Sequence, residues 1–301
     1  MTGIPETTIE ELIARYPVLL LDAYGVLIND SGALAGAAGL IDELNRTGKP
    51  YYLLTNDASK LPQTAANRFQ DYGLAIEPDR IITSGGLLKD YFKSRGLRKA
   101  RCAVLGPDDS AQYVIEAGGT VVSPANGFDM VVIGDESGFP FVETVDTVLT
   151  ELFHKVERRE RFHLVLPNPD MIYPKADRGY GIASGSIALI IEAALKLRYP
   201  GRPHLCFERL GKPHAAIFQE ALKRSGTREM VMIGDQLETD IRGANTFGLD
   251  SVLVETGITD PTTAGMPDQP RPTYRMHSIK LRQQESIKLE EESPNHGKKN
   301  F

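Results

Sequence analysis

Short aliphatic runs recur along this chain, and each is followed by a stretch with helical spacing. Val18–Asp22 (VLLLD), Pro50–Asn56 (PYYLLTN) and Arg80–Ser84 (RIITS) have the length and composition of buried strands. Between and after them lie Gly39–Lys49, Lys60–Gly73 and Gly86–Gly96, which read as helices, with Gly73 as a C-terminal cap. Downstream the alternation resumes with a helix at His214–Gly226 and strands at Glu229–Asp235 and Asp250–Thr256. Alternating strands and helices predict an α/β fold built on a parallel sheet.

A second alternating block lies between about Leu97 and Pro203. CAVLG, TVVS, DMVVIGD and FHLVLPN are strand-like, while SAQYVIEAG, TVDTVLTELFHKVE and SGSIALIIEAALKL are helix-like. The block is long enough to be its own domain. RYPGRP (Arg198–Pro203) reads as the linker back. The expected organisation is a discontinuous core at 1–97 and 204–280, an inserted domain at 98–203, and a polar tail at 281–301. The tail is charged and poor in aromatics, so a solvated terminus is expected. Ile279, Leu281, Ile287 and Leu289 form only a thin apolar set.

A net charge of −6 argues against nucleic acid as a partner. The two cysteines, Cys102 and Cys206, have no metal spacing and suit a reducing compartment. The first residues show no basic segment followed by a long apolar one, and no apolar run is long enough to span a membrane. The expectation is a cytoplasmic protein without a signal peptide.

Four pieces far apart in sequence carry chemistry. Asp22 ends a strand, Thr55-Asn56 ends the next, Lys212 precedes a helix in RLGKPH, and IGDQLETD puts Asp235 at a strand end with Asp240 five residues on. Parallel sheets place their sites at the carboxyl ends of strands, so one crevice could collect them. Converging carboxylates repel, and a hard divalent cation such as Mg²⁺ relieves this through oxygen ligands. A hydroxyl, backbone amides and Lys212 would meet an anion. Together they suit metal-assisted phosphoryl transfer with a carboxylate nucleophile. Each piece alone has an ordinary explanation as a turn or cap residue. VVIGDESGFP is a decoy, ending a strand at Asp135 with no second carboxylate at the required spacing.

The order of these motifs resembles the haloacid dehalogenase (HAD) superfamily, in particular subfamily IIA, the NagD-like and 4-nitrophenylphosphatase-like hydrolases. The resemblance runs from about Tyr16 to about Ile279. GDQLETDIRGANTFGLDSVLVETG is its most specific stretch, and NPDMIYPKADRGYGIASGSI, with Asn168 and Asp170, resembles the family's cap segment. LAGA (Leu34–Ala37) resembles the family's Pro-Gly-Ala lead into the first helix, with Ala35 replacing the proline. The resemblance implies a Rossmann-like core with an inserted C2-type cap. It implies that Asp22 attacks phosphorus and that Thr55 and Asn56 hold phosphoryl oxygens. Lys212 would neutralise charge. Asp22, the Tyr24 backbone carbonyl and Asp235 would hold Mg²⁺, with Asp240 ligating directly, through water, or orienting Lys212. It also implies a small phosphorylated metabolite as substrate, and a homodimer, because caps of this subfamily often take part in dimer contacts.

One position departs from that pattern. Where the family's phosphatases carry a second Asp as proton carrier, this chain has Tyr24. A phenol with a reference pKa of about 10 can donate a proton but is a poor base at pH 7. Three readings follow: a phosphatase, slower or with another proton carrier such as Asp30, Asp57 or Asp170; a 2-haloacid dehalogenase, to which DAYG has some likeness; or a non-catalytic phosphometabolite binder. The paired acids Asp235 and Asp240 argue against the dehalogenase, where they would only burden Asp22. A packing role for the Tyr24 ring fits all three.

Other motifs carry less. In GYGIASG the third glycine comes one residue late for a dinucleotide fingerprint, with Ser184 where it should be, and the segment reads as a cap loop entering a helix near Ser184 or Gly185. Pro213 after Gly211-Lys212 excludes a Walker A loop, there is no nucleophile elbow, and the six histidines lack metal spacing.

Overall fold

The computed structural model describes residues 3–174, 179–257, 259, 264, 266 and 268–282. Helix α1 (Ile9–Arg15) opens under a capping box made by Thr8 and Glu11 and leads into β1 (Val18–Leu21). A small hairpin follows, β2 (Ile28–Asn29) and β3 (Gly32–Ala33), then α2 (Ala37–Thr47), β4 (Tyr51–Thr55), α3 (Pro62–Asp71), β5 (Ile81–Thr83) and α4 (Leu88–Arg95). The chain then builds a second unit. This comprises β6 (Arg101–Leu105), α5 (Asp108–Glu116), β7 (Thr120–Val121), β8 (Met130–Ile133), α6 (Phe141–Arg158) and β9 (His163–Leu166). Hairpin β10 (Ile172–Pro174) and β11 (Tyr180–Ile182), α7 (Ser184–Arg198) and β12 (Glu208–Arg209) complete it. Helix α8 (Ala215–Ser225), β13 (Met230–Gly234), α9 (Arg242–Phe247), β14 (Asp250–Val254) and β15 (Tyr274–Met276) close the fold.

The first sheet has the order β15-β14-β13-β1-β4-β5, and every pair in it is parallel. The two segments on either side of the second unit therefore meet at the centre of this sheet, where β1 lies between β13 and β4. All four residues of β1 are buried, because helices cover both faces. Each such aliphatic side chain contributes about 1.5–3 kcal/mol of burial. Helix α2 joins one face through Ala37, Leu40, Ile41 and Leu44, the spacing of a single helical stripe.

The second sheet has the order β12-β9-β8-β6-β7, also parallel throughout. Val132 and Val165 from this sheet share an apolar cluster with Leu20, Leu54 and Ile82 from the first. Its other face packs on α6 and α7 through Val148, Leu152, Ile187 and Ile191. No helix among the described residues is long and apolar enough to cross a membrane.

The α/β alternation expected from the sequence is present, with three differences. Glu208–Arg209 pairs with Val165–Leu166, so the chain leaves the second sheet at Leu210–Lys212 rather than at the 203/204 boundary read from RYPGRP. Proline and glycine there mark the end of α7, not a change of unit. GYGIASG is not simply a loop, since Tyr180–Ile182 pairs antiparallel with Ile172–Pro174 before α7 begins at Ser184. The tail expectation splits. Ile279 is buried in the first sheet's core and Leu281 packs against it, while residues 283–301, with Ile287 and Leu289, lie outside the described residues.

Candidate active site

The sheet order sets the geometry. Asp22 follows β1, Asp235 follows β13 and Thr55 ends β4, so three neighbouring parallel strands deliver them to one edge. The carboxylate oxygens of Asp22, Asp235 and Asp240 lie within 4.8 Å of one another, and all three residues are buried. Lys212 reaches this cluster from the loop after β12. Its Nζ donates to Asp22 Oδ1 at 2.6 Å and stands 2.8 Å from Asp240 Oδ1. Ala23 N donates to the same Asp22 oxygen at 2.7 Å.

Asp240 is brought back to the cluster by a π-helical turn, Leu237–Ile241, of the kind common at functional sites. Its Oδ2 accepts from Gln236 N at 3.1 Å, which turns its other oxygen towards Lys212. Glycine is required around these carboxylates. Gly25 has φ +78, and a Cβ there would stand 2.3 Å from Asp235 Oδ2; a Cβ on Gly234 would stand 2.3 Å from Asp240.

Three carboxylates face one ammonium, leaving an excess of negative charge out of water. Burial pushes the Asp22 carboxyl well above the usual carboxylate range, Asp240 and Asp235 add to that, and Lys212 opposes it. Burial opposes the Lys212 ammonium, but Asp22 and Asp240 outweigh it and hold the proton on. The donor set itself fits a small divalent cation: hard oxygens only, close together, carrying surplus negative charge.

The side chain of Asn56 is committed within the protein. Its Oδ1 accepts Lys212 N at 2.7 Å, and its Nδ2 donates to Lys212 O at 3.0 Å and to Asp170 Oδ1 at 2.8 Å. Both amide hydrogens are spent, so the side chain has no donor left for a phosphoryl oxygen. It positions Lys212 and Asp170 instead. Thr55 Oγ1 accepts from Asp57 N at 3.2 Å and keeps its own hydrogen for a ligand.

Of these groups, Asp22, Thr55, Asn56 and Lys212 line the inner end of a cavity of about 490 Å³ whose walls come from both sheets. The second unit contributes Asn168, Asp170, Asp135, Glu136 and Ser137. Asn168 Oδ1 accepts Asp170 N at 2.9 Å and fixes the turn that aims Asp170 inward. Burial raises the Asp170 carboxyl to about 6, against the opposing pull of Asn56 and Lys212.

Tyr24 lines the same cavity but is tied to its wall. Arg68 Nη2 donates to its hydroxyl at 2.6 Å, and the guanidinium lies 5.5 Å from the centres of both the Tyr24 and Tyr72 rings. Burial raises the phenol above its ordinary value, with Arg68 opposing. Arg68 and Glu136 went unnoticed in the sequence. A lone arginine on α3 and a glutamate beside the decoy Asp135 carry no motif, and only the tertiary fold brings them to the cavity.

A family model described as haloacid dehalogenase-like hydrolase matches residues 19–120, and one described as HAD-hydrolase-like matches residues 209–280. The chain is 30% identical to dihydroxyacetone phosphatase of Corynebacterium glutamicum over 86% of its own length and 88% of that protein's. Its structure is similar to that of a possible sugar phosphatase of the HAD superfamily from Cytophaga hutchinsonii. The TM-score is 0.79 at 30% identity, covering 93% of this chain and 99% of the other. The fold also matches 4-nitrophenylphosphatase from Thermotoga maritima, with TM-score 0.74 at 22% identity over 89% of this chain and 96% of that one.

Proposed function

The chain belongs to the HAD-like hydrolases of subfamily IIA, and from that premise we propose that it is a Mg²⁺-dependent hydrolase of small organic phosphate monoesters, working through an aspartyl-phosphate at Asp22. The observation that carries this reading is Lys212 bridging Asp22 and Asp240 beside Asp235 at the carboxyl edge of the sheet. A bare strand-end aspartate has no need of such surroundings, whereas a nucleophile approaching a phosphate dianion does.

Asp22, Asp235 and the backbone carbonyl of Tyr24 would hold Mg²⁺, with Asp240 spent chiefly on orienting Lys212. The ion would supply positive charge that lets Asp22 stay ionised beside a phosphate. Lys212 holds the nucleophile by its Oδ1 and leaves Oδ2 for attack. The Thr55 hydroxyl and backbone amides after it would take phosphoryl oxygens. The unit built on the second sheet acts as the cap, closing the cavity over the leaving group and choosing it.

The cavity suits a substrate of sugar-phosphate size, in keeping with the dihydroxyacetone phosphatase relative. Nucleic acid and membranes are not expected partners. The exposed Leu189, Ile190 and Leu197 on α7 support a homodimer through the cap.

Tyr24 favours one second reading, a binder of phosphorylated metabolites with little turnover, because its hydroxyl is held by Arg68. An assay across phosphomonoesters with and without Mg²⁺ decides. Turnover that needs Mg²⁺ and disappears in Asp22→Asn supports the hydrolase. Tight binding of esters without turnover would establish the binder, and metal-independent halide release from 2-haloacids would overturn both.

A further inference from the structure

The hydrolytic cycle needs one group that both gives and takes a proton. Covalent transfer to Asp22 expels an alkoxide that must be protonated, and hydrolysis of the aspartyl-phosphate needs a proton taken from water. Tyr24 stands where a carboxylate would ordinarily serve. Its phenol can give a proton but, raised by burial, holds no charge with which to take one from water near neutrality.

The carboxylates of the cavity are not equivalent. Asp57 Oδ1 accepts from Ser59 N and Oγ, and its Oδ2 lies 3.6 Å from Lys60, so it is consumed in its own turn. Asp135 is spent in the same way on Ser137. Asp30 is exposed at the hairpin. Glu136 has Asp135, Asp57 and Lys60 as its charged neighbours and, among the described residues, shows no hydrogen bond to the groups around Asp22. Asp170 alone among the described carboxylates of the cap is bonded to the phosphoryl end. Asn56 Nδ2 donates to its Oδ1 at 2.8 Å, and the same amide holds the backbone of Lys212, whose Nζ holds Asp22. Its electrostatic neighbours are Lys212 and Asp240, the groups of the reacting centre. The loop is rigidly placed: Asn168 caps it, Gly185 N donates to Asp170 O at 2.9 Å, and a Cβ at Gly185 would strike Pro169 O.

We propose that Asp170, delivered by the cap, is the proton carrier that replaces the acid missing at position 24. The proposal rests on the phosphatase reading above. In the first step Asp22 Oδ2 forms a bond to phosphorus as the phosphorus–oxygen ester bond breaks. The Asp170 proton passes to the departing oxygen, leaving an alcohol and an Asp170 carboxylate. In the second step a water oxygen bonds to phosphorus and the bond to Asp22 breaks. The proton of that water returns to Asp170, and inorganic phosphate leaves. Acid–base function is thereby split between the two units, so chemistry waits on the cap being in place.

The test compares two esters in the full chain with Mg²⁺. 4-Nitrophenolate leaves without a proton, while the alkoxide of glycerol phosphate does not. In Asp170→Asn, 4-nitrophenyl phosphate should give a burst of one nitrophenolate per active site. Steady turnover should then fall by about 10²-fold or more, because only the water step lacks its base. Glycerol phosphate should lose its first turnover as well. In Asp170→Ala, added formate should restore part of the glycerol phosphate rate by standing in for the lost carboxyl. Equal slowing of both esters without a burst, no rescue by formate, or wild-type behaviour would overturn the proposal. So would the same split between esters in Tyr24→Phe. Asp22→Asn separates the two readings: its loss of all turnover tests the phosphatase, and Asp170 variants test only the carrier.

Discussion

At the inner end of the cavity and in the carboxylate cluster joined to it, Asp22, Thr55, Lys212, Asp235 and Asp240 are each no more than 8% exposed, whereas at the mouth Tyr24, Arg68, Asp57, Lys60 and Glu136 keep part of their surface in water. Inside, Lys212 is shared by Asp22 and Asp240 beside Asp235, so the charges act as one cluster and the cost of burying them falls on all of it. At the mouth, charges are held one pair at a time, as Arg68 on Tyr24 and Lys60 near Asp57. Solvent screens them, so each can change without collapsing its neighbour. The inner end is therefore suited to one reaction, and the mouth to adjustment for one substrate among many.

Breaking the inner end should have the larger consequences. Asp22→Asn removes the nucleophile and should lower turnover by about 10⁴-fold or more, measured on any ester the wild type accepts. Lys212→Met comes next. It strips the cluster of its cation and leaves three carboxylates facing one another, so metal-free protein should lose about 3–5 kcal/mol in urea unfolding. A loss below about 1 kcal/mol would mean that the cluster is far better solvated than its burial implies.

The contrast also decided what could be read beforehand. Asp22, Thr55, Lys212, Asp235 and Asp240 sit at strand ends or a helix start, and spacing such as Asp235 to Asp240 is local, so sequence carries it. The strand alternation was legible for the same reason. The role of the Asn56 side chain was not legible because its amide is claimed by Lys212, 156 residues away, and no local pattern encodes that. The return point from the second sheet was misplaced because a two-residue strand, Glu208–Arg209, has no periodicity to recognise. Arg68 and Glu136 reach the mouth only through the packing of α3 and of the loop after β8.

Metal should sharpen the comparison by acting on the inner end alone. Mg²⁺ at about 100 times its dissociation constant should stabilise the wild type by about 2.7 kcal/mol, seen as a raised melting temperature. Asp235→Asn should lose most of that gain, while Glu136→Gln should keep it. The mouth responds to pH instead. Burial, then Asp135, raises the Glu136 carboxyl from 4.5 to about 7. Between those values the folded state holds the proton more firmly than the unfolded one, so stability falls as pH rises through the window. Above pH 7 the wild type bears the full penalty and Glu136→Gln does not. After solvent screening, the variant should be more stable at pH 8 by about 1–2 kcal/mol, with the advantage gone at pH 4.

The smallest effect is expected at Tyr24, although its position would make it the largest in a chain with an aspartate there. Tyr24→Phe keeps the ring against the Arg68 guanidinium and loses only the 2.6 Å hydrogen bond. The freed guanidinium can turn to water at the mouth, so stability should drop by about 1 kcal/mol. Turnover should change by less than about tenfold, below the range of a lost acid–base group. Tyr24→Asp makes the sharper comparison. An aspartate there would pair with Arg68, which holds it ionised and unfit to protonate a leaving group, so it should not raise the rate on glycerol phosphate. Arg68→Gln combined with Tyr24→Asp removes that restraint. A gain seen only in the double variant would show that the mouth, through Arg68, determines whether position 24 can take part in proton transfer.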